Sequence, residues 1–153
     1  HKGIYRQGFA SSPEPDDNYL LPFGKARVVQ EGSNLTIITW GALVQKSIEA
    51  VRNTGISADI IDLRTINPLD MDSILSSIQK TSRAIVAHED NLTNGFGAEI
   101  AARIADEGFE FLDAPLKRVA SKDSPVAYSA VLENKLLVQT GWIEKAVQEL
   151  IEF

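Results

Sequence analysis

The sequence predicts an α/β protein: an open three-layer sandwich whose largely parallel central sheet of about five strands carries helices on both faces. Three observations predict it. Short β-branched runs such as LTIITW (residues 35–40) and ADIIDL (58–63) alternate with stretches whose apolar residues recur at helical spacing. Glycines stand where helices must stop, at Gly55 and Gly108. The sequence also shows no internal repeat that would call for a solenoid.

Taken in order, residues 1–24 read as a connector. A turn-rich acidic segment, SSPEPDDN (11–18), is flanked by Tyr5, Phe9, Tyr19, Leu20, Leu21 and Phe23. So many large apolar groups predict an ordered connector lying on a surface. The domain proper runs over 25–153. Residues 26–30 read as an edge strand and 35–40 as a buried one. Leu43, Val44, Ile48 and Val51 follow helical spacing, and 58–63 is the next strand. Asp70 is placed to cap a helix, with Asp72 in its first turn and a stripe of Met71, Ile74, Leu75 and Ile78. Residues 83–87 form a third parallel strand and 116–120 a fourth. Residues 128–137 show no dominant period beyond room for a helical turn. A final helix follows Gly141, with Ile143, Val147, Leu150 and Ile151 inward.

The stretch from Ala87 to Phe109 carries the densest signals. His88, Glu89 and Asp90 follow a buried strand, Asn91 to Gly95 form a polar turn, and Phe96, Ile100 and Ile104 share a helix face. Open α/β sheets place their sites at strand C-terminal ends, so polar residues here carry functional interest. The sequence speaks against a phosphate loop here. Gly95 and Gly97 lack a third glycine in register, no lysine follows, and Glu89 and Asp90 repel an anion. Ala98, Ala101, Ala102 and Ala105 keep this helix thin, and the two glycines predict close packing against a neighbour, in an interface as readily as in a core.

Composition narrows the function. Net charge is −6, from 15 Lys and Arg against 21 Asp and Glu, which argues against nonspecific binding to nucleic acid or anionic membrane. No apolar run approaches the roughly 20 residues of a membrane span. No signal peptide is recognised, and a cytoplasmic location is expected. The absence of cysteine removes disulfides, thiolate metal sites and a cysteine nucleophile, and the two histidines, His1 and His88, are too few for a histidine-rich metal site. The chain opens without methionine, as a piece of something longer would.

Candidate chemistry is sparse. His88 with Glu89 and Asp90 is either an acid–base group or a hydrogen-bonded structural site. No serine lies on a Gly-x-Ser-x-Gly turn. Arg64 and Asp70 flank a loop as a salt bridge or cap, and Asp123 reads as a turn residue. The residues alone give a doubly wound domain with no complete active site.

Several runs in fixed order resemble a known family: LPFGKA (21–26), TWG (39–41), DLRTINPLD (62–70), His88-Glu89 with GFGAEI (95–100), Ala114-Pro115, Arg118-Val119 and Asp123-x-Pro125. Together they resemble the transketolase C-terminal-type domain of the beta subunit of thiamine-diphosphate-dependent 2-oxo acid dehydrogenases. Residues 1–6 resemble the connector leaving the preceding domain. Asp90-Asn91 stands where the family often has Ala-Pro, Asn94-Gly95 where it has Gly-Gly, and Val126-Ala127 lacks a second proline. These departures leave pyruvate, branched-chain and acetoin enzymes open. The C-terminal domain of a transketolase or deoxyxylulose-phosphate synthase, and a stand-alone nucleotide-binding module, are the alternatives.

The resemblance implies oxidative decarboxylation of a 2-oxo acid with acyl transfer to lipoamide, in a multienzyme complex. It implies that thiamine diphosphate and magnesium are bound by domains absent here, and that this fragment holds no catalytic, cofactor-binding or metal residue. Expected interface residues toward an upstream domain, an alpha subunit or a dimer mate are His88, Glu89, Gly95, Phe96, Gly97 and Glu99. The acyltransferase component is expected to dock through its subunit-binding domain near Glu149, Glu152 and Phe153.

Overall fold

The computed structural model describes residues 4, 5 and 7–153. His1, Lys2, Gly3 and Arg6, which open the expected connector, lie outside the described residues. The main elements are β1 (Arg27–Gln30), β2 (Leu35–Thr39), α1 (Ala42–Thr54), β3 (Ala58–Asp62), α2 (Met71–Thr81), β4 (Ala84–Asn91), α3 (Phe96–Glu107), β5 (Lys117–Ser121), α4 (Ala130–Leu136) and α5 (Thr140–Ile151). They form a five-stranded sheet of order β1-β3-β2-β4-β5. Strands β2 to β5 are parallel, and β1 pairs antiparallel with β3 at the edge.

Period-two geometry splits the strand residues between two cores. Leu35, Ile37, Ala58, Ile60, Ile85 and Ala87 face Leu43, Ala50 and Val51 of α1 and Ile143, Val147 and Leu150 of α5. Ile38, Ile61, Ala84 and Val86 face Met71, Ile74 and Ile78 of α2 and Ile100 and Ile104 of α3. Central strands covered on both faces have no polar side to show. That explains why every residue of β2 is buried. Each fully buried Leu or Ile contributes about 1.5–3 kcal/mol, so these two layers are the main source of stability.

The expected caps form. Gly55 adopts φ 69° and donates its N–H to the Val51 carbonyl at 3.0 Å, ending α1. Asp70 accepts from the Ser73 N–H at 3.3 Å, and its other oxygen accepts from the Ala26 N–H at 2.9 Å. One carboxylate thus caps α2 and fixes the entry to β1. Burial alone would raise the Asp70 pKa; the Ala26 and Ser73 hydrogen bonds, with Lys25 nearby, outweigh it and hold the carboxyl below its ordinary value.

The element boundaries differ from the expected ones in three places. Strand β4 runs on to Asn91, so His88, Glu89 and Asp90 lie within it rather than after it. Helix α5 begins at Thr140, which puts Gly141 in its first turn. The patternless stretch after β5 contains α4, a helix with no buried residue and therefore no apolar stripe to read.

Candidate functional site

From β2 the chain crosses to β3 on one side, and β4 lies on the other. The strand order therefore reverses at the C-terminal ends of β2 and β4, where open α/β sheets form their crevice. Trp40 follows β2 there, and His88 lies in β4. The pairing of β4 with β5 slips at this point: Ala87 faces Val119 and Asn91 faces Ser121, so four residues of advance on β4 meet two on β5. The extra residues fall on His88, Glu89 and Asp90. Such bulges re-aim side chains. The Ser121 hydroxyl donates to the Glu89 carbonyl at 2.6 Å, and the Arg118 guanidinium donates to the Leu92 carbonyl at 2.8 Å. Asp123 accepts from both the Thr93 N–H and hydroxyl, at 2.9 and 2.7 Å. These Thr93 bonds lower the Asp123 pKa. The expected turn residue is thus also a tether between two loops.

His88 is fully buried. Its ring stacks on Trp40 with centroids 5.4 Å apart and planes 2° from parallel, and Trp40 meets Phe96 edge-on at 6.3 Å. Among the described residues neither ring nitrogen has a hydrogen-bond partner. Burial drives the His88 pKa down; Asp90 opposes this and Arg118 adds to it. The imidazole is accordingly held neutral against an apolar wall, without the oriented partner a general base requires.

The glycines at the start of α3 serve this ring. A Cβ on Gly97 would sit 2.1 Å from His88 Cδ2, and one on Gly95 would sit 2.8 Å from Cε1. The close approach they permit is to His88 of the same chain, whose ring is buried within it. Glu89 is half-buried beside Ala42, Lys46 and the connector residues Gln7 and Phe9, in a cleft of about 520 Å³. Phe96 is half-buried and Glu99 exposed.

The C-terminal residues lie at the opposite edge of the sheet, where the Arg83 side chain donates to the Leu150 carbonyl. Glu149 is already engaged there, by Lys117 at 3.2 Å and Lys145 at 3.8 Å. Glu152 and Phe153 are exposed. Phe153 borders an apolar groove with Phe109, Leu112, Pro115 and Leu116. The structure therefore does not bring the two expected sets of residues together.

Asp59 had no distinguishing sequence signal beyond a carboxylate inside an apolar strand. It is buried and accepts from the Gly32 N–H at 2.7 Å, the Ser77 hydroxyl at 2.6 Å and Lys80 at 2.7 Å. Burial works against its ionisation, and the Lys80, Ser77 and Gly32 contacts outweigh burial, so its pKa is lowered. The role is structural: it joins the β1–β2 turn to α2.

Among the described residues no group of three or more His, Cys, Asp or Glu is placed to hold a metal ion. Glu89, Asp90 and Asp123 crowd the C-terminal edge with negative charge. At this edge the residues present do not fit a diphosphate anion. No helix among the described residues is long and apolar enough to cross a membrane.

Comparisons with known proteins bear out the resemblance read from the motifs. The family profile described as "Transketolase, C-terminal domain" matches residues 24–143. The mitochondrial pyruvate dehydrogenase E1 component subunit beta of Dictyostelium discoideum is 39% identical over 145 residues, spanning 93% of this chain and 41% of that protein. The acetoin:2,6-dichlorophenolindophenol oxidoreductase subunit beta of Bacillus subtilis is 39% identical over 90% of this chain and 41% of its own length. The 2-oxoisovalerate dehydrogenase subunit beta of the same bacterium is 38% identical over 100% of this chain and 47% of its own. The chain thus spans less than half the length of these relatives. Among solved structures, one described as "Split gene transketolase, inactive beta4 tetramer" superposes with a TM-score of 0.74 at 24% identity, covering 92% of this chain and 46% of that one. That likeness agrees with the expected α/β fold.

Proposed function

The chain belongs to the transketolase C-terminal domain family, and from that premise we propose that it is the C-terminal assembly domain of the decarboxylating component of a 2-oxo acid dehydrogenase. The observation that carries this reading is the identity of 38–39%, over 90–100% of the chain, to beta subunits of pyruvate, acetoin and 2-oxoisovalerate enzymes. In this reading the parent enzyme oxidatively decarboxylates a 2-oxo acid and passes the acyl group to lipoamide. Thiamine diphosphate and magnesium bind in the remainder of the parent. An alpha subunit, a dimer mate and the acyltransferase component are its partners, and its location is cytoplasmic. The chain's own contribution is that of a platform: His88, its one described histidine, is buried with no partner on either ring nitrogen.

The test is substrate-resolved. The parent protein with its alpha partner, thiamine diphosphate and magnesium is given pyruvate, 2-oxoisovalerate or acetoin, with dichlorophenolindophenol as electron acceptor. Dye reduction with one of these is the expected result, and the 153-residue chain alone gives none. Ketol transfer between sugar phosphates with no dye reduction would overturn the reading in favour of a transketolase.

A further inference from the structure

Many of the exposed large apolar side chains gather at one end of the sheet. Phe23, Ile66, Leu92, Val126, Tyr128 and Leu132 all stand where β2 to β5 end and β1 begins, at the C-terminal edge of the sheet. With strands about 4.8 Å apart, that edge is about 19 Å long from β1 to β5. Single exposed apolar residues need no explanation, but a row of them along one edge marks a contact surface.

The excursion after β5 adds a second observation. None of residues 122–137 is buried, and Tyr128 is fully exposed. Helix α4 has only seven residues and buries none of them. Helices this short are marginal in water and depend on tertiary packing. The excursion closes on itself through the Lys122 N–H to the Leu136 carbonyl at 3.0 Å, and it is held to the β4–α3 loop by the polar Asp123–Thr93 pair, while its most exposed apolar side chains touch solvent. An uncovered helix with Val131 and Leu132 facing solvent is built for a surface that comes from elsewhere.

The source of that surface follows from chain length and chain path. The pyruvate and acetoin relatives extend well beyond the matched part, which is 41% of each. The connector lies against the same edge: Gln7 and Phe9 flank Ala42, at the start of α1, and Glu89, near the end of β4. Residues 20–24 then lead into β1 there, where the Gly24 N–H donates to the Thr65 hydroxyl at 2.9 Å. Both described stretches of the connector thus adjoin this edge. We propose that the C-terminal edge of the sheet, with the 122–137 excursion as its grip, is the face on which the remainder of the parent polypeptide packs. This rests on the reading of the chain as one domain of a longer enzyme.

Hydrogen–deuterium exchange of the parent polypeptide and of the 153-residue chain tests it. Peptides within 126–136 exchange at least about tenfold more slowly in the parent. The double variant Tyr128→Lys/Val131→Lys lowers the thermal midpoint of the parent and leaves that of the 153-residue chain unchanged. Equal exchange in both proteins overturns the proposal. So does protection in the 153-residue chain that grows with its own concentration, which would assign the edge to a second copy. The dye-reduction assay separates the two readings. A protected edge in a parent inactive on 2-oxo acids leaves this inference standing and removes the functional one; an active parent with a freely exchanging edge does the reverse.

Discussion

Gly97 and His88 share a space that holds one of them only because the other has no side chain. A Cβ at Gly97 would come within 2.2 Å of His88 Nε2, far inside van der Waals contact. Gly97→Ala should therefore cost about 1–3 kcal/mol, because the ring is pinned by Trp40 and has nowhere to move. In a His88→Ala background the same substitution should cost much less, a coupling that a double-mutant cycle in urea reads directly. A second prediction concerns pH. Burial lowers the His88 pKa below its ordinary 6.5. The unfolded chain then binds the proton more readily than the folded one, so stability is full above pH 6.5 and falls as pH drops below it, toward the depressed folded value. The depressed carboxyls Asp59 and Asp70 act only below their ordinary 3.8. Urea midpoints between pH 7 and pH 5 should decline for the wild type and decline less for His88→Leu. Equal declines would place the titrating group elsewhere. The sequence marked His88 and the glycines as belonging together, yet not that they touch. Asp59 stayed hidden because its partners lie 18 to 27 positions away.

Elements were legible wherever two cores imposed a period. Helices α1, α2, α3 and α5 each lay an apolar stripe on the sheet, and β2, β3 and β4 sit between both layers. Their existence and order follow from spacing and stop signals alone. Two features did not. The extension of β4 to Asn91 depends on the slipped pairing with β5, a non-local fact. Helix α4 buries nothing, so no periodicity announces it. The helix stops, by contrast, depend on single residues. Gly55 ends α1 at φ 69°, a conformation that costs an L-residue with a Cβ about 1 kcal/mol, although open space surrounds the position. Gly55→Ala should lower the unfolding free energy by that amount, read as a lower urea midpoint at an unchanged m-value, whereas Gly55→Asn should recover part of the loss. A changed m-value would mean that more than the cap had been disturbed.

At the scale of the whole molecule, the two edges of the sheet present different chemistry. The C-terminal edge sets a row of exposed apolar side chains beside the carboxylates of Glu89, Asp90 and Asp123, and adjoins the connector. The N-terminal edge carries the groove of Phe109, Leu112, Pro115 and Phe153 beside the Lys117–Glu149–Lys145 cluster. Docking of the acyltransferase component, proposed for this second edge, acquires a sharper form from these contacts. Glu149 is already paired with two lysines at 3.2 and 3.8 Å, so it is a poor anchor for a cationic group of a partner. Glu152, exposed at the end of α5, stays available, and Phe153 supplies apolar area next to it. A carboxylate at a helix C-terminus is slightly disfavoured by the dipole, so a cation from a partner relieves it. In the parent enzyme, Glu152→Lys should weaken binding of the subunit-binding domain about tenfold at low salt, mainly by slowing association. That deficit should shrink as salt is raised toward 1 M, where the screening length falls to about 3 Å. Phe153→Ser should weaken binding by an amount that salt does not change, since it removes apolar contact rather than charge. Calorimetry at two salt concentrations separates the two contributions. Affinities that match the wild type in both variants would move the docking site away from this edge and leave the groove without that partner.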